Sequence, residues 1–141
     1  MMKVLCLLIA ITCGMSSCSK QNQVNQVPAT DNIDTSKGAI KYSGMFSSAP
    51  GESVSGNALV LFQNGVYSIA LENMNVGNGP DLHLYLSKEL KPLNFIDVSK
   101  LKSTSGNQVY ALTSIPNFTQ YKYVLVFCQQ YNVLFGSAVL K

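Results

Sequence analysis

The chain has few of the side chains on which much protein chemistry depends. Its 141 residues include no tryptophan and one histidine, and none of its ten basic residues is an arginine. Arginine is the usual bidentate reader of guanine edges and phosphates, so no binding to nucleic acid is expected. Cys-x-x-Cys, Cys-x-x-Cys-His and His-Glu-x-x-His motifs are also missing. Their absence excludes a preformed structural zinc site and a covalently attached c-type haem.

A hydrolase of the serine or cysteine type also lacks clear support. Such an enzyme needs a nucleophile beside an oriented base, and His83 is the only imidazole. Asp81 shares a strand face with His83 by parity, but nothing in the sequence places Cys128 or a serine against them. The alternative interpretation is that Asp81 caps a glycine turn through backbone amides and that His83 is a partly exposed strand residue. Whether the protein is an enzyme stays open, and the sequence favours a module over a stand-alone enzyme.

The first residues, MMKVLCLLIAITCGMSSC, have a short basic start, an apolar run and small polar residues before Cys18. This pattern is typical of a secretory signal peptide, which we assign to residues 1–17. The apolar run is too short to cross a bilayer, which takes about 20 residues as a helix.

The stretch MSSCSK resembles the lipobox of bacterial lipoproteins of the Bacteroidetes type, although Met15 stands where leucine is usual. The resemblance implies cleavage before Cys18 and acylation of Cys18, for example with palmitate. Acyl chains would anchor the protein to a membrane of the bacterial cell envelope, at the outer membrane or the cell surface. The alternatives are lipidation at Cys13 and an ordinary secretory peptide that is cut nearby.

The segment that follows Cys18 is polar and shows no apolar periodicity. From Ser19 to about Ser36 it is rich in Gln, Asn, Ser and Thr. Residues 18–37 are therefore predicted to be the lipidated cysteine and a disordered tether, with the folded domain at residues 38–141. The alternative is an extra strand that packs on the domain.

The remainder shows short apolar runs separated by turn residues. Asn64 and Gly65 separate two such runs and predict a hairpin with a type I′ turn. The run DLHLYLS alternates strictly, so His83 and Tyr85 should face away from the leucines. The region from Lys88 to Asn107 predicts a long loop with one short strand or turn. Seven or eight strands at this spacing predict an all-β fold, an antiparallel β-sandwich or barrel, and of these two we favour the sandwich.

Cys128 lies in the apolar run YKYVLVFC near the end of the chain. Cys6 and Cys13 would leave with the signal peptide and Cys18 would carry lipid, so Cys128 would be the only thiol and could form no intrachain disulfide. Parity puts Cys128 on one strand face with Val124 and Val126. A strand end beside two glutamines favours exposure more than a mid-strand position does, and the sequence leaves open whether the thiol is exposed or buried. Lys122 shares that face but is nearly 20 Å away at ~3.3 Å per residue, too far to activate the thiol.

Several segments together resemble the DM13 family in order and spacing. They are SGMFSS and SVSGNALV near the start of the domain, then GPDLHLYLS, LKSTSGNQVYAL and YKYVLVFCQQYNVLFGSAVL. The resemblance covers about residues 40–140. It implies a β-sandwich related to the DOMON domains that bind haem or sugars, and a role in electron transfer or redox chemistry.

The same resemblance implies a role for one cysteine as a bare thiol or as a ligand of a prosthetic group, and that cysteine is Cys128 here. In the haem version, His83 or Met45 would lie opposite Cys128. Electron transfer would require a separate redox or envelope partner protein. In the alternative interpretation Cys128 is a buried core residue of a binding or adhesion module. Gly136 leaves a gap that would admit Tyr131 or a ligand.

Overall fold

The structure, a computed structural model, describes Val24 and residues 26–141, and this part of the chain is all-β. The signal peptide predicted at residues 1–17 and the lipidation site Cys18 lie outside the described residues. No helix that could cross a membrane occurs in the described part. The nine strands are β1 (Ala29–Thr30), β2 (Ala39–Ser48), β3 (Val54–Gln63), β4 (Val66–Val76), β5 (Leu82–Ser87), β6 (Phe95–Lys100), β7 (Ser105–Ala111), β8 (Tyr123–Cys128) and β9 (Val133–Val139).

The strands form one sheet in the order β1-β7-β4-β3-β2-β9-β8-β5-β6. Strand β2 joins its two halves, because residues 39–45 pair with β3 whereas residues 46–48 pair with β9. All neighbours are antiparallel except β1 and β7, which are parallel. The sheet curls so that side chains from both halves enter one core cluster. The all-β prediction is therefore confirmed, and β1 is the strand that the sequence pattern did not separate from the predicted tether.

The hairpin predicted at Asn64 and Gly65 is confirmed. Both residues have positive φ, 50° and 80°, and Gln63 pairs with Val66 across the turn. Positive φ at both central positions matches the right-handed twist of the two strands, and Asn-Gly adopts it at little cost. The long loop with one short strand is also confirmed, since β6 is the only strand between β5 and β7.

Strand parity places the core as predicted. Val124, Val126 and Cys128 enter the main cluster together with the three leucines of β5. The opposite face of β8 carries Leu125 and Phe127, which form a second cluster with Tyr85 on the outside of the sheet. Leu125 is 0% and Phe127 6% exposed, so β8 is buried on both faces, as is expected for a strand in the middle of a sheet.

The segment just before residue 38 packs on the domain instead of forming a free tether where it is described. Ala29 and Thr30 pair with β7, and the Asp31 carboxylate accepts hydrogen bonds from Val109 N at 2.9 Å and from Lys102. Gly106 makes this approach possible, because a Cβ there would collide with the backbone of Ala29. This arrangement is the alternative of an extra strand, and the ordered part begins before residue 38.

Candidate functional site

Cys128 is buried at the end of β8. Its residue exposure is 0%, and it pairs with Leu82 on one side and Val133 on the other. It is the only cysteine in the described part of the chain, and there its sulfur has no hydrogen-bond partner. Of the two possibilities that the sequence left open, exposure and burial at the strand end, the structure shows burial. Pairing continues past Cys128, because Gln129 N donates to the carbonyl oxygen of Asp81 at 3.0 Å.

A polar cluster covers the opposite, outer face of the same strands. His83 lies between two carboxylates, with Nδ1 3.0 Å from Asp97 Oδ2 and Nε2 3.4 Å from Asp81 Oδ1. Lys100 Nζ donates to Asp81 Oδ1 at 3.0 Å. The hydrogen bond from Lys100 holds the pKa of Asp81 below its ordinary value. We call this set the outer cluster, and its members are Asp81, His83, Tyr85, Asp97, Lys100 and Gln129.

Gln129 links the outer cluster to the thiol-bearing strand. Its Nε2 donates to Tyr85 Oη at 2.7 Å and to Asp97 Oδ2 at 2.9 Å, and its backbone N donates to Asp81. Tyr85 itself is 2% exposed, and this burial raises the pKa of its phenol. Because Gln129 directly follows Cys128, these three hydrogen bonds hold the end of β8 against β5.

Asp81 and His83 share a face, as predicted, and His83 is a partly exposed strand residue, as the alternative interpretation predicted. The predicted role of Asp81 as a cap of the glycine turn is wrong. The Asp81 side chain binds Lys100 and His83 rather than the amides of the glycine turn. His83 is paired in register with Phe127, whereas Cys128 is paired with Leu82, so the imidazole and the thiol point to opposite faces of the sheet. No Cys128–His83 pair for nucleophilic catalysis is assembled.

The same geometry decides how well the residues fit a haem. A thiolate from Cys128 on the inside and an imidazole from His83 on the outside cannot bind opposite faces of one iron. Met45, the other proposed ligand, is 76% exposed on β2, in a groove with Phe46 and Ser137. The described residues thus do not fit the two-ligand haem site, and among them no group of three His, Cys, Asp or Glu side chains is placed so that it could hold a metal ion.

The gap expected at Gly136 is filled. A Cβ at Gly136 would lie 2.7 Å from the Ser47 carbonyl oxygen and 2.9 Å from Val54 Cβ. The close approach of β2 to β9 therefore uses the missing side chain, and Tyr131 stays 65% exposed on the surface. This glycine serves strand packing and leaves no space for a ligand.

Sequence reasoning missed three members of the outer cluster, namely Asp97, Lys100 and Gln129. The sequence could have indicated Asp97, which is a polar residue that strand alternation places on the outward face of a short strand. Its pairing opposite Tyr85, and that of Lys100 opposite His83, depends on the register shift in β6 between the two pairs. No local pattern in the sequence specifies that shift.

These observations define a β domain with one buried thiol and a hydrogen-bonded polar cluster on the opposite face of the same strands. The family profile described as "Electron transfer DM13" matches residues 45–140, which include Cys128 and the outer cluster. The chain belongs to the DM13 family, the electron-transfer domain family that its sequence resembles. Neither a curated protein nor a solved structure matched the chain.

Proposed function

We propose that the protein is a membrane-anchored electron-transfer component of the bacterial cell envelope and that Cys128 is its redox thiol. The observation that supports this role is the position of Cys128, which is the only cysteine within the matched range and ends a strand held by the outer cluster. The protein would pass electrons between partner proteins and would not act as a stand-alone enzyme.

The burial of Cys128 determines the chemistry that this role requires. A thiol with 0% exposure cannot meet a partner until the end of β8 opens. Local opening would separate Gln129 from Asp81, Tyr85 and Asp97 while the rest of β8 stays paired. While the end of β8 is closed, the thiol is protected from oxidation. When it opens, the thiol can react with a partner.

In the open form, the Cys128 thiolate would attack a disulfide of a partner protein. The S–S bond breaks, a mixed disulfide with Cys128 forms, and one partner sulfur leaves as a thiolate. A thiolate of a second protein that carries two thiols then attacks the Cys128 sulfur, so the first partner leaves with both of its sulfurs as thiolates and Cys128 becomes disulfide-bonded to the second protein. The other thiolate of the second protein attacks its own sulfur in that bond, forms an intramolecular disulfide and releases the Cys128 thiolate. Two electrons thus pass from the second protein to the first.

Lipid anchoring at Cys18 is the second part of the proposal, and the lipobox resemblance supports it. Val24 is six positions after Cys18, and a fully extended chain spans ~3.6 Å per residue, so Val24 would lie within ~22 Å of the lipidated residue. Growth with a palmitate analogue should label the wild-type chain, and Cys18→Ser should abolish the label and release the protein from membranes. Labelling that persists in Cys18→Ser would overturn the assignment.

A second candidate function is a binding or adhesion module in which Cys128 only fills the core. Full burial among apolar side chains and the lack of a hydrogen bond to the sulfur favour it, since free cysteine packs well as a small hydrophobe. The two functions differ in how the thiol becomes reactive, which can be measured.

The test is the rate at which a thiol reagent modifies Cys128 in the folded full-length chain carrying Cys18→Ser, Cys6→Ser and Cys13→Ser. Electron transfer predicts modification through local opening, with a rate that changes little at low urea. Gln129→Ala should accelerate the reaction, whereas the control Gln130→Ala, at an exposed neighbour, should not. If modification occurs only through global unfolding in both variants, the redox role of the thiol is wrong and the core-residue function stands.

A visible spectrum of protein purified from its native membrane addresses haem independently. The geometry predicts no Soret band from the chain and no change with Cys128→Ser. A Soret band that disappears in Cys128→Ser would show that Cys128 binds haem. It would contradict the conclusion that the described residues do not fit a haem site.

A further inference from the structure

The first described residues pack on the domain at one end of the sheet. Val24 is 3% exposed and belongs to the main core cluster. Gln26 Nε2 donates to Asn78 Oδ1 at 2.6 Å, and Ser103 Oγ donates to the carbonyl oxygen of Val27 at 2.6 Å. The chain therefore enters the domain beside the turns that join β4 to β5 and β6 to β7.

Cys128 lies at the same end of the sheet, where β8 ends and β5 begins. Gln129 N donates to the carbonyl oxygen of Asp81 in the turn between β4 and β5, and Gly77 N of that turn donates to the carbonyl oxygen of Ser53. These contacts gather several turns at one end of the domain. We call it the anchor end, and it consists of Val24, residues 26–28 and the turns at residues 49–53, 77–81, 101–104 and 129–132.

The short chain between Cys18 and Val24 limits which end of the domain can face a membrane. At ~3.6 Å per residue, Val24 lies at most ~22 Å from Cys18. Strand β3 runs from the anchor end to the Asn64–Gly65 turn, and its 10 residues span ~33 Å at ~3.3 Å per residue. With Cys18 in the bilayer, the chain is therefore too short for the domain to stand upright on the Asn64–Gly65 turn.

The anchor end exposes two side chains that suit a lipid interface. Val27 is 67% exposed, and Tyr131, in the turn that follows Cys128, is 65% exposed. Tyrosine is enriched at membrane–water interfaces, because its ring can lie among apolar groups while its hydroxyl stays hydrated. Contact with lipid would cover both side chains.

The charges at the anchor end do not oppose such a contact. Lys102 pairs with Asp31, and Asp81 pairs with Lys100. Glu52 is the one further charged residue in the ranges that define the anchor end. This end therefore has little net charge, and a lipid surface would not repel it strongly.

We propose that the anchor end lies on the lipid surface, with the ring of Tyr131 among the lipid headgroups. This inference rests on the lipid anchor at Cys18, which is part of the proposed function. It places the turn that follows Cys128 at the bilayer. A protein that exchanges a disulfide with Cys128 would then have to act at the membrane surface.

The absence of tryptophan from the chain provides the probe. Tyr131→Trp introduces a single tryptophan at the anchor end, and the lipidated full-length variant is reconstituted into phosphatidylcholine vesicles. Separate vesicles carry a quencher on the headgroup or deep in the acyl chain. The headgroup quencher should lower the tryptophan emission at least about twofold, and the deep quencher should lower it less, because an aromatic ring at the interface stays near the headgroups.

Matched variants test whether the contact is confined to the anchor end. Val66→Trp puts the tryptophan at a residue 47% exposed beside the Asn64–Gly65 turn, and neither quencher should affect it. Cys18→Ser combined with Tyr131→Trp should also escape quenching, since one aromatic ring buries too little apolar surface to hold the domain on a bilayer. If the lipidated Tyr131→Trp chain is quenched no more than the Val66→Trp chain, the inference is overturned.

Other outcomes separate this inference from the proposed function. A blue-shifted emission of Tyr131→Trp without quenching by either lipid would overturn the inference in favour of a second copy of the chain that covers the anchor end. A chain that takes up palmitate but shows no quenching would retain the lipid anchor and lose the orientation, whereas a chain without palmitate would lose both. Quenching of Tyr131→Trp with a thiol that reacts only on global unfolding would uphold the orientation while the redox role of Cys128 fails.

Discussion

Replacing Cys128 by serine and by alanine measures the surroundings of the thiol directly. Alanine removes one sulfur atom from a residue that is 0% exposed in the main core cluster. The lost burial is comparable to that of one methylene, ~0.8 kcal/mol, and a small void adds to it. We expect Cys128→Ala to lower the free energy of unfolding by about 1 kcal/mol.

Serine keeps the shape of cysteine but places a hydroxyl where the thiol has no hydrogen-bond partner in the described structure. An unpaired buried hydroxyl costs about 1–3 kcal/mol. We therefore expect Cys128→Ser to lower the free energy of unfolding by about 2–3 kcal/mol, more than alanine does, although serine is closer to cysteine in shape.

Urea denaturation of the full-length chain carrying Cys18→Ser, followed by circular dichroism, gives both values from the transition midpoints at constant slope. Val66→Ala, at a strand residue 47% exposed, serves as a control for a change outside the core. If the Cys128→Ser variant is as stable as the wild-type protein, or more stable than Cys128→Ala, the thiol has a polar or hydrated environment. The assignment of Cys128 to a dry core would then be refuted.

Three further measurements test other parts of the structure. Gly106→Ala should destabilise by about 3 kcal/mol or more, because φ is +88° and the Cβ would collide with Ala29. Gly51→Ala, with φ +82° and no atom within 4 Å, should cost only about 1 kcal/mol in the same denaturation assay. The pKa of Asp81 is lowered from 3.8, so the stability that ionised Asp81 contributes is present above about pH 4 and is lost as the pH falls. Asp81→Asn should therefore flatten the fall in the free energy of unfolding at acid pH. An unchanged dependence on pH would contradict the contact with Lys100. Burial raises the pKa of Tyr110 from 10.0 to about 12, so its contribution to the free energy of unfolding is complete below pH 10 and is lost between pH 10 and 12. Ultraviolet titration should show one tyrosine that ionises above the ordinary pKa, and Tyr110→Phe should remove that signal. Ionisation of Tyr110 near pH 10 would contradict its burial.

The parts of the fold that could be predicted are those that depend on a few neighbouring residues. Asn64–Gly65 specifies its own turn, because a type I′ turn needs positive φ at both central residues and Asn and Gly adopt it at a lower cost than other residues. The parity of β8 likewise follows from alternation alone and correctly separates Cys128 from Phe127. Both features are decided within a few residues, so neither depends on the rest of the chain.

The parts that were missed depend on contacts between distant segments. Ala29 and Thr30 belong to a polar stretch with no strand pattern, and they pair only because Gly106 opens the edge of β7. The outer cluster brings together residues from β5, β6 and the turn after β8, through a register shift between Leu84 and Tyr85. Secondary-structure propensity and periodicity contain no information on either pairing. Polar residues in such segments are therefore predicted to be tether or loop.

The position of Cys128 shows how local and distant information combine at the candidate site. A strand end normally frays and exposes its last side chain, which is why the sequence favoured exposure. Here Gln129 continues the pairing to Asp81 and adds two side-chain hydrogen bonds on the outer face. The fold therefore places a thiol in the core directly before a residue that three hydrogen bonds hold in place. If Gln129→Ala leaves the rate of thiol modification unchanged while Cys128→Ser destabilises as expected, the seal belongs to the core alone, and the outer cluster has no part in controlling the thiol.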